Sequence, residues 1–145
     1  MAALIVREDL DIVGERALGH YTHEKSSVGC AAALATIECL LEEKLIDNSM
    51  ILGEKGLKRL EEMKSKYSII SDVRGLGLFF GIELTKNSKP AQREAEEVLY
   101  HSLSNGLSYK VGGGCILTLC PPMTITEGEL NEAFDIIEAG IKEVS

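Results

Sequence analysis

Residues 73–84 read VRGLGLFFGIEL, and the fold turns on how this stretch is taken. Its glycines at 75, 77 and 81 run G-x-G-x-x-x-G, one residue longer than a dinucleotide-binding loop. Nor do they lead into a helix whose first turn could hold a pyrophosphate. Leu78, Phe80, Ile82 and Leu84 instead alternate with Phe79, Gly81 and Glu83, the period of a half-buried strand. The preceding SIISDVR predicts an antiparallel partner, with the glycines allowing a tight turn and close packing between the two.

Helical patterns lie on both sides of this hairpin. Upstream, Ser26 is a plausible N-cap for a helix with Cys30, Leu34, Ile37 and Leu41 at helical spacing, kept thin by Gly29 and Ala31 to Ala33. A second helix is predicted from about Asn48 to Lys66, with Met50, Gly53, Leu57 and Leu60 on one face. Residues 2–6, AALIV, read as a short buried strand. Downstream, Ser88 as cap, Pro90 in the first turn and Asn105-Gly106 as stop predict a third helix with Ala91, Ala95, Val98 and Leu99 on its stripe. LSYKV and CILTLC, either side of Gly112-Gly113-Gly114, predict a second hairpin. Thr126 and Glu129 form a capping box, with Ile125 and Leu130 placed as a hydrophobic staple, for a last helix burying Leu130, Phe134, Ile137 and Ile141. The order implies an α+β fold, a small antiparallel sheet covered by helices.

Composition narrows the function classes. The chain has 145 residues, enough for one domain of ordinary size with a real core. Its net charge is −8, with no basic stripe, which argues against nucleic acid as a partner. No apolar run approaches a membrane span, and the start lacks the basic and small-residue features of a signal peptide, so a cytoplasmic location is expected. Cys30 and Cys39, and Cys115 and Cys120, lack zinc-ligand spacing and are expected to be reduced, buried thiols.

Few side chains carry chemistry on pattern alone. His20 and His23 are three apart, but spacing fixes no third ligand, so no metal is expected. His101 is read as a solvated residue on a helix flank. No serine lies in a nucleophile-elbow pattern. The segment GHYTHEKSSVGCAAALATIE, residues 19–38, is more informative, because a hydroxyl residue ahead of a helix start is well placed to help free N–H groups hold an anion. Thr22 is therefore a candidate phosphate ligand; the alternative is that Thr22 and Ser26 serve only as turn and cap.

GHYTHEKSSVGCAAALATIE, VRGLGLFFGIEL and LTLCPPMTITEGELNEAFDII together resemble the C-terminal part of the class III aminotransferases, which use pyridoxal phosphate. The resemblance spans almost the whole chain and keeps three motifs in order. It implies the C-terminal domain fold of fold-type I pyridoxal-phosphate transferases, with residues 1–25 a remnant of the large cofactor domain and connecting loop, and 26–145 the small domain. The family's Schiff-base lysine precedes a segment similar to MAALIVRED. The resemblance therefore implies that this lysine is absent here, that the chain supplies no catalytic residue, and that it is inactive alone. It implies a homodimer in which Thr22 holds the cofactor phosphate of the neighbouring subunit. The substrates implied are an amino donor and a keto acceptor.

One position departs from the family. Many members carry an arginine before the Pro-Pro that pairs with a substrate carboxylate; alignment on CPP puts Thr118 there. Either a cation elsewhere, with Lys110 the nearest candidate, binds the carboxylate, or the donor presents none at this point. The rival reading from another class is a stand-alone α+β binding or assembly module without catalysis.

Overall fold

A computed structural model of the chain describes residues 6–10 and 26–145. They fall into two compact units, residues 1–44 and 45–145. Thr22, His20, His23 and residues 2–5 of the expected first strand lie outside the described residues; Val6 is exposed and belongs to no strand.

In the first unit, a short 3-10 turn covers Glu8–Leu10 and helix α1 covers Ser27–Glu42. Ser26 is the N-cap as expected: its backbone is extended and its hydroxyl accepts the Gly29 N–H at 3.5 Å. No α1 residue is buried within the unit, and Leu34, Ile37 and Leu41 are more than half exposed. At the other end the Glu43 N–H returns to the Cys39 carbonyl, and Lys44, at φ 53°, takes the chain out of the helix.

The second unit begins with α2, Leu45–Lys66, followed by β1, Ile70–Leu76, and β2, Phe79–Lys86. The two strands pair antiparallel with Val73 opposite Ile82 and Arg74 opposite Gly81. Leu78, Phe80, Ile82 and Leu84 are each no more than 5% exposed while Phe79 is 57% exposed, so the alternation in the sequence is the division between core and outside. Strand β3, Lys89–Pro90, turns back on the end of β2; then come α3, Gln92–Ser104, β4, Lys110–Gly112, β5, Ile116–Leu119, and α4, Glu127–Val144. The sheet order is β1-β2-β5-β4, antiparallel at every pairing, with β3 on β2.

The helices cover one face of this sheet. Leu52, Leu60 and Met63 of α2, Ala95 and Val98 of α3, and Leu130, Phe134, Ile137 and Ile141 of α4 join the sheet's Phe80, Ile82, Leu84, Leu117 and Leu119 in one core. Phe80 and Phe134 meet edge-on, centroids 5.6 Å apart and planes at 74°, a geometry contributing about 0.5–1.5 kcal/mol beyond burial. This is the expected α+β arrangement.

Four readings need correction. Helix α3 starts at Gln92 rather than in the turn holding Pro90, with Ala91 at the N-cap and no side-chain cap. Asn87 and Ser88 both adopt positive φ, 53° and 59°, and so make a two-residue turn of the kind that joins antiparallel strands; Lys89 and Pro90 extend the sheet before the helix begins. Met50 lies one turn before Gly53, where the β1–β2 turn ends the sheet, and is 58% exposed; Leu57 is only half-buried. Of the cysteines, all unbridged, only Cys115 is buried. His101 is half-buried rather than fully solvated: its ring packs where a Cβ on Gly140 would come within 3.2 Å, and its Nδ1 lies 3.1 Å from the exposed Glu143.

Candidate functional site

Where β5 runs out into Cys120-Pro121-Pro122, a cavity of about 950 Å³ opens beside the sheet. Its walls are mostly apolar, from Phe79, Leu119, Pro121 and Leu130 among others. Two sequence-predicted site residues meet in it. Lys110 of β4 stands directly across from Thr118 of β5, and both line the cavity. Leu117 and Leu119 turn into the core, so Thr118 occupies the opposite face of the strand, as the alternation in CILTLC requires. The Thr118 hydroxyl has one protein partner among the described residues, the Ile116 carbonyl at 3.5 Å, the far limit of a hydrogen bond.

The same face continues across the sheet as a row: Lys110, Thr118, Gly81, Arg74. Arg74 bonds Asp72 at 2.6 Å and Glu83 at 2.9 Å, and its guanidinium holds the Asp72 carboxyl below the usual range. Among the described residues no carboxylate pairs with Lys110.

Sequence reasoning missed the residues that shape these walls. Ser102, fully buried on α3, donates to the Val98 carbonyl at 2.8 Å, which leaves its oxygen to accept the Tyr109 hydroxyl at 3.2 Å. Burial pushes the Tyr109 phenol up, so it stays neutral, and this bond fixes the chain immediately before Lys110. Ser102 continues the stripe Ala91, Ala95, Val98, and a polar residue on an apolar stripe was the available signal. For Asn48 there was none. Its amide donates to the carbonyls of Met123, at 2.8 Å, and Ile125, at 3.1 Å, while the neighbouring Ser49 hydroxyl accepts the Leu78 N–H at 3.3 Å. Glu129 also lines the cavity. Its carboxylate takes the Thr126 N–H at 2.8 Å and hydroxyl at 2.7 Å, which hold it below its usual range and complete the capping box.

Pyridoxal phosphate needs an amine for its carbonyl, a carboxylate for its ring nitrogen and donors for its phosphate. The described residues do not make that cradle. Among them, the cavity's one amine, Lys110, lies on an exposed strand position, and its one carboxylate is committed to the cap of α4. What the cavity offers is an ammonium and hydroxyls against an apolar wall, the donor set for the anionic end of a small molecule. No helix of the described residues is long and apolar enough to cross a membrane.

Comparison with known proteins agrees with this architecture. The aminotransferase class-III family matches residues 11–141. The chain is 41% identical over 147 aligned residues to an (R)-1-hydroxy-2-aminoethylphosphonate ammonia-lyase of Vibrio splendidus, covering 99% of this chain and 31% of that protein. It is 37% identical to a leucine/methionine racemase of Thermococcus litoralis, covering 88% of this chain and 30% of the racemase. A crystal structure of the acetylornithine aminotransferase from Elizabethkingia anophelis superposes with a TM-score of 0.72 at 34% identity, over 79% of this chain and 28% of that one. The chain thus spans about a third of the length of the curated relatives it matches. It belongs to the class III aminotransferase family.

Proposed function

We propose that the chain is the small-domain portion, residues 26–145, of a cytoplasmic, homodimeric pyridoxal-phosphate enzyme that moves an amino group from an amino donor to a keto acceptor. Residues 1–25 are a remnant of the large domain and the loop that connects it to the small one. The observation that carries this reading is the family match over residues 11–141. Enzymes of this family depend on pyridoxal phosphate, which supplies the carbonyl that takes up the amine and the electron sink for its bonds.

This chain's own part is binding. Thr22 donates to the cofactor phosphate of the neighbouring subunit, and Lys110 and Thr118 meet the far end of the substrate. None of the chain's lysines lies in the family's glycine-flanked setting, so alone it transfers nothing. Release of the amine as ammonia is a second reading, favoured by the 41% identity to the Vibrio ammonia-lyase.

The test uses the complete enzyme. Thr22→Ala should weaken cofactor retention on dialysis and reconstitution by about 1.5–3 kcal/mol, the range for a hydrogen bond to a charged group, with little effect on folding. Unchanged affinity would return Thr22 to a turn role. Consumption of a keto acid by the wild type, against ammonia release without an acceptor, separates the two reactions.

A further inference from the structure

If the far end of the amine substrate lies in this cavity, as the proposed function has it, the charge pattern of the walls says what that end is. We propose that it is a tetrahedral oxyanion, a phosphonate or a phosphate monoester, held by Lys110 with Thr118 beside it.

Lys110 is the one cation among the described residues that line the cavity. It faces Thr118 across the strands, where opposed Cβ atoms are about 4.5–5.5 Å apart, so both side chains reach the same bound group. The other cation of the row, Arg74, is already taken by Asp72 and Glu83, and so cannot stand in for a carboxylate-binding arginine. The Lys110 ammonium has no carboxylate partner among the described residues, and the Thr118 hydroxyl is barely engaged. Ser108 and Thr124 bring two further hydroxyls to the lining.

The shape of this donor set decides the class. A carboxylate has two oxygens in one plane and is matched by the planar fork of a guanidinium. An ammonium and separate hydroxyls are single, rotatable donors with no shared plane imposed on them, which suits three oxygens set tetrahedrally around phosphorus better than it suits a planar carboxylate. A dianionic head also gains more from one point charge than a carboxylate does. Glu129, the one carboxylate among the described lining residues, is engaged by the Thr126 N–H and hydroxyl at the cap of α4, so the donors open to an anion are those of Lys110 and the hydroxyls.

Every lining residue belongs to this chain, so the full 145-residue chain can be titrated directly. The probes are 2-aminoethylphosphonate, phosphoethanolamine and β-alanine, with binding followed by NMR at the Lys110 side chain and the Thr118 amide. The phosphonate, the phosphate ester or both should shift these signals saturably, with a Kd at least about tenfold below that of β-alanine. The stronger of the two identifies the source of the oxyanion. Lys110→Met should bring all three probes to within about threefold of one another, with amide signals away from the cavity unchanged. Lys110→Arg should keep binding and narrow the preference.

Equal or tighter binding of β-alanine would overturn the proposal. So would shifts mapping elsewhere, or no saturable shift. Such a failure leaves amino-group transfer standing if the complete enzyme consumes carboxylate donors. An enzyme that transfers no amine would remove the reading without altering the ion preference measured on the chain.

Discussion

Thr118 can give a bound anion one hydrogen bond, commonly worth about 0.5–1.5 kcal/mol net and somewhat more to a charged acceptor. Truncating a buried charge pair costs about 3–5 kcal/mol. In the complete enzyme, Thr118→Val should therefore lower kcat/KM for the best amino donor by no more than about tenfold, equivalent to ~1.4 kcal/mol. A thousandfold loss with folding and cofactor binding intact would make this threonine the principal anchor. The sequence placed Thr118 on the outward face of its strand because Leu117 and Leu119 leave it no other side, and it named Lys110 as the nearest cation. That the two stand in register across β4 and β5 depends on the turn at Gly113 and Gly114, both at positive φ, which periodicity does not encode.

At the scale of the element, the approach of α2 to the β1–β2 turn depends on one missing side chain. A Cβ on Gly53 would lie 2.5 Å from the Gly77 carbonyl oxygen, which is backbone and cannot swing aside. Alanine gains about 1 kcal/mol of helix propensity over glycine, but forcing an atom into a packed contact costs about 1–3 kcal/mol, and a 2.5 Å approach to backbone puts it at the upper end. Gly53→Ala should lower the melting temperature. Gly128→Ala, whose added Cβ would meet nothing closer than the Thr126 hydroxyl at 3.9 Å, should raise it or leave it unchanged. Thermal unfolding of the two variants side by side checks both. Elements were legible where local rules agreed: the alternation of Leu78 to Leu84, or the capping box at Thr126 and Glu129. The start of α3 was not, because Pro90 suits both a first helical turn and the end of an edge strand, and the left-handed pair Asn87-Ser88 decides between them.

Across the whole molecule, acid should loosen the second unit through four carboxylates, one of them Glu94, held below its usual range by a backbone N–H and then by Lys86. Glu138 is held below its usual range chiefly by Lys66, at 2.6 Å, with Tyr67 adding a bond. Asp72 is held down by Arg74, and Glu129 by the Thr126 N–H. Each binds its proton less readily folded than unfolded, so its contribution is complete above the unfolded pKa, about 3.9 for Asp and 4.3 for Glu. It is lost as pH falls through the depressed folded value. Urea midpoints measured from neutral pH downward should fall below about pH 4, and Glu138→Gln should start lower and fall less steeply. An unchanged slope would show that Glu138 does not carry this dependence. The first turn of α2 has a different bearing on the molecule. Asn48 holds the Pro-Pro segment and Ser49 the β1–β2 hairpin, so two walls of the cavity share one mooring on consecutive residues. Both walls therefore answer to the same turn: a substitution that displaces it disturbs the Pro-Pro segment and the hairpin at once.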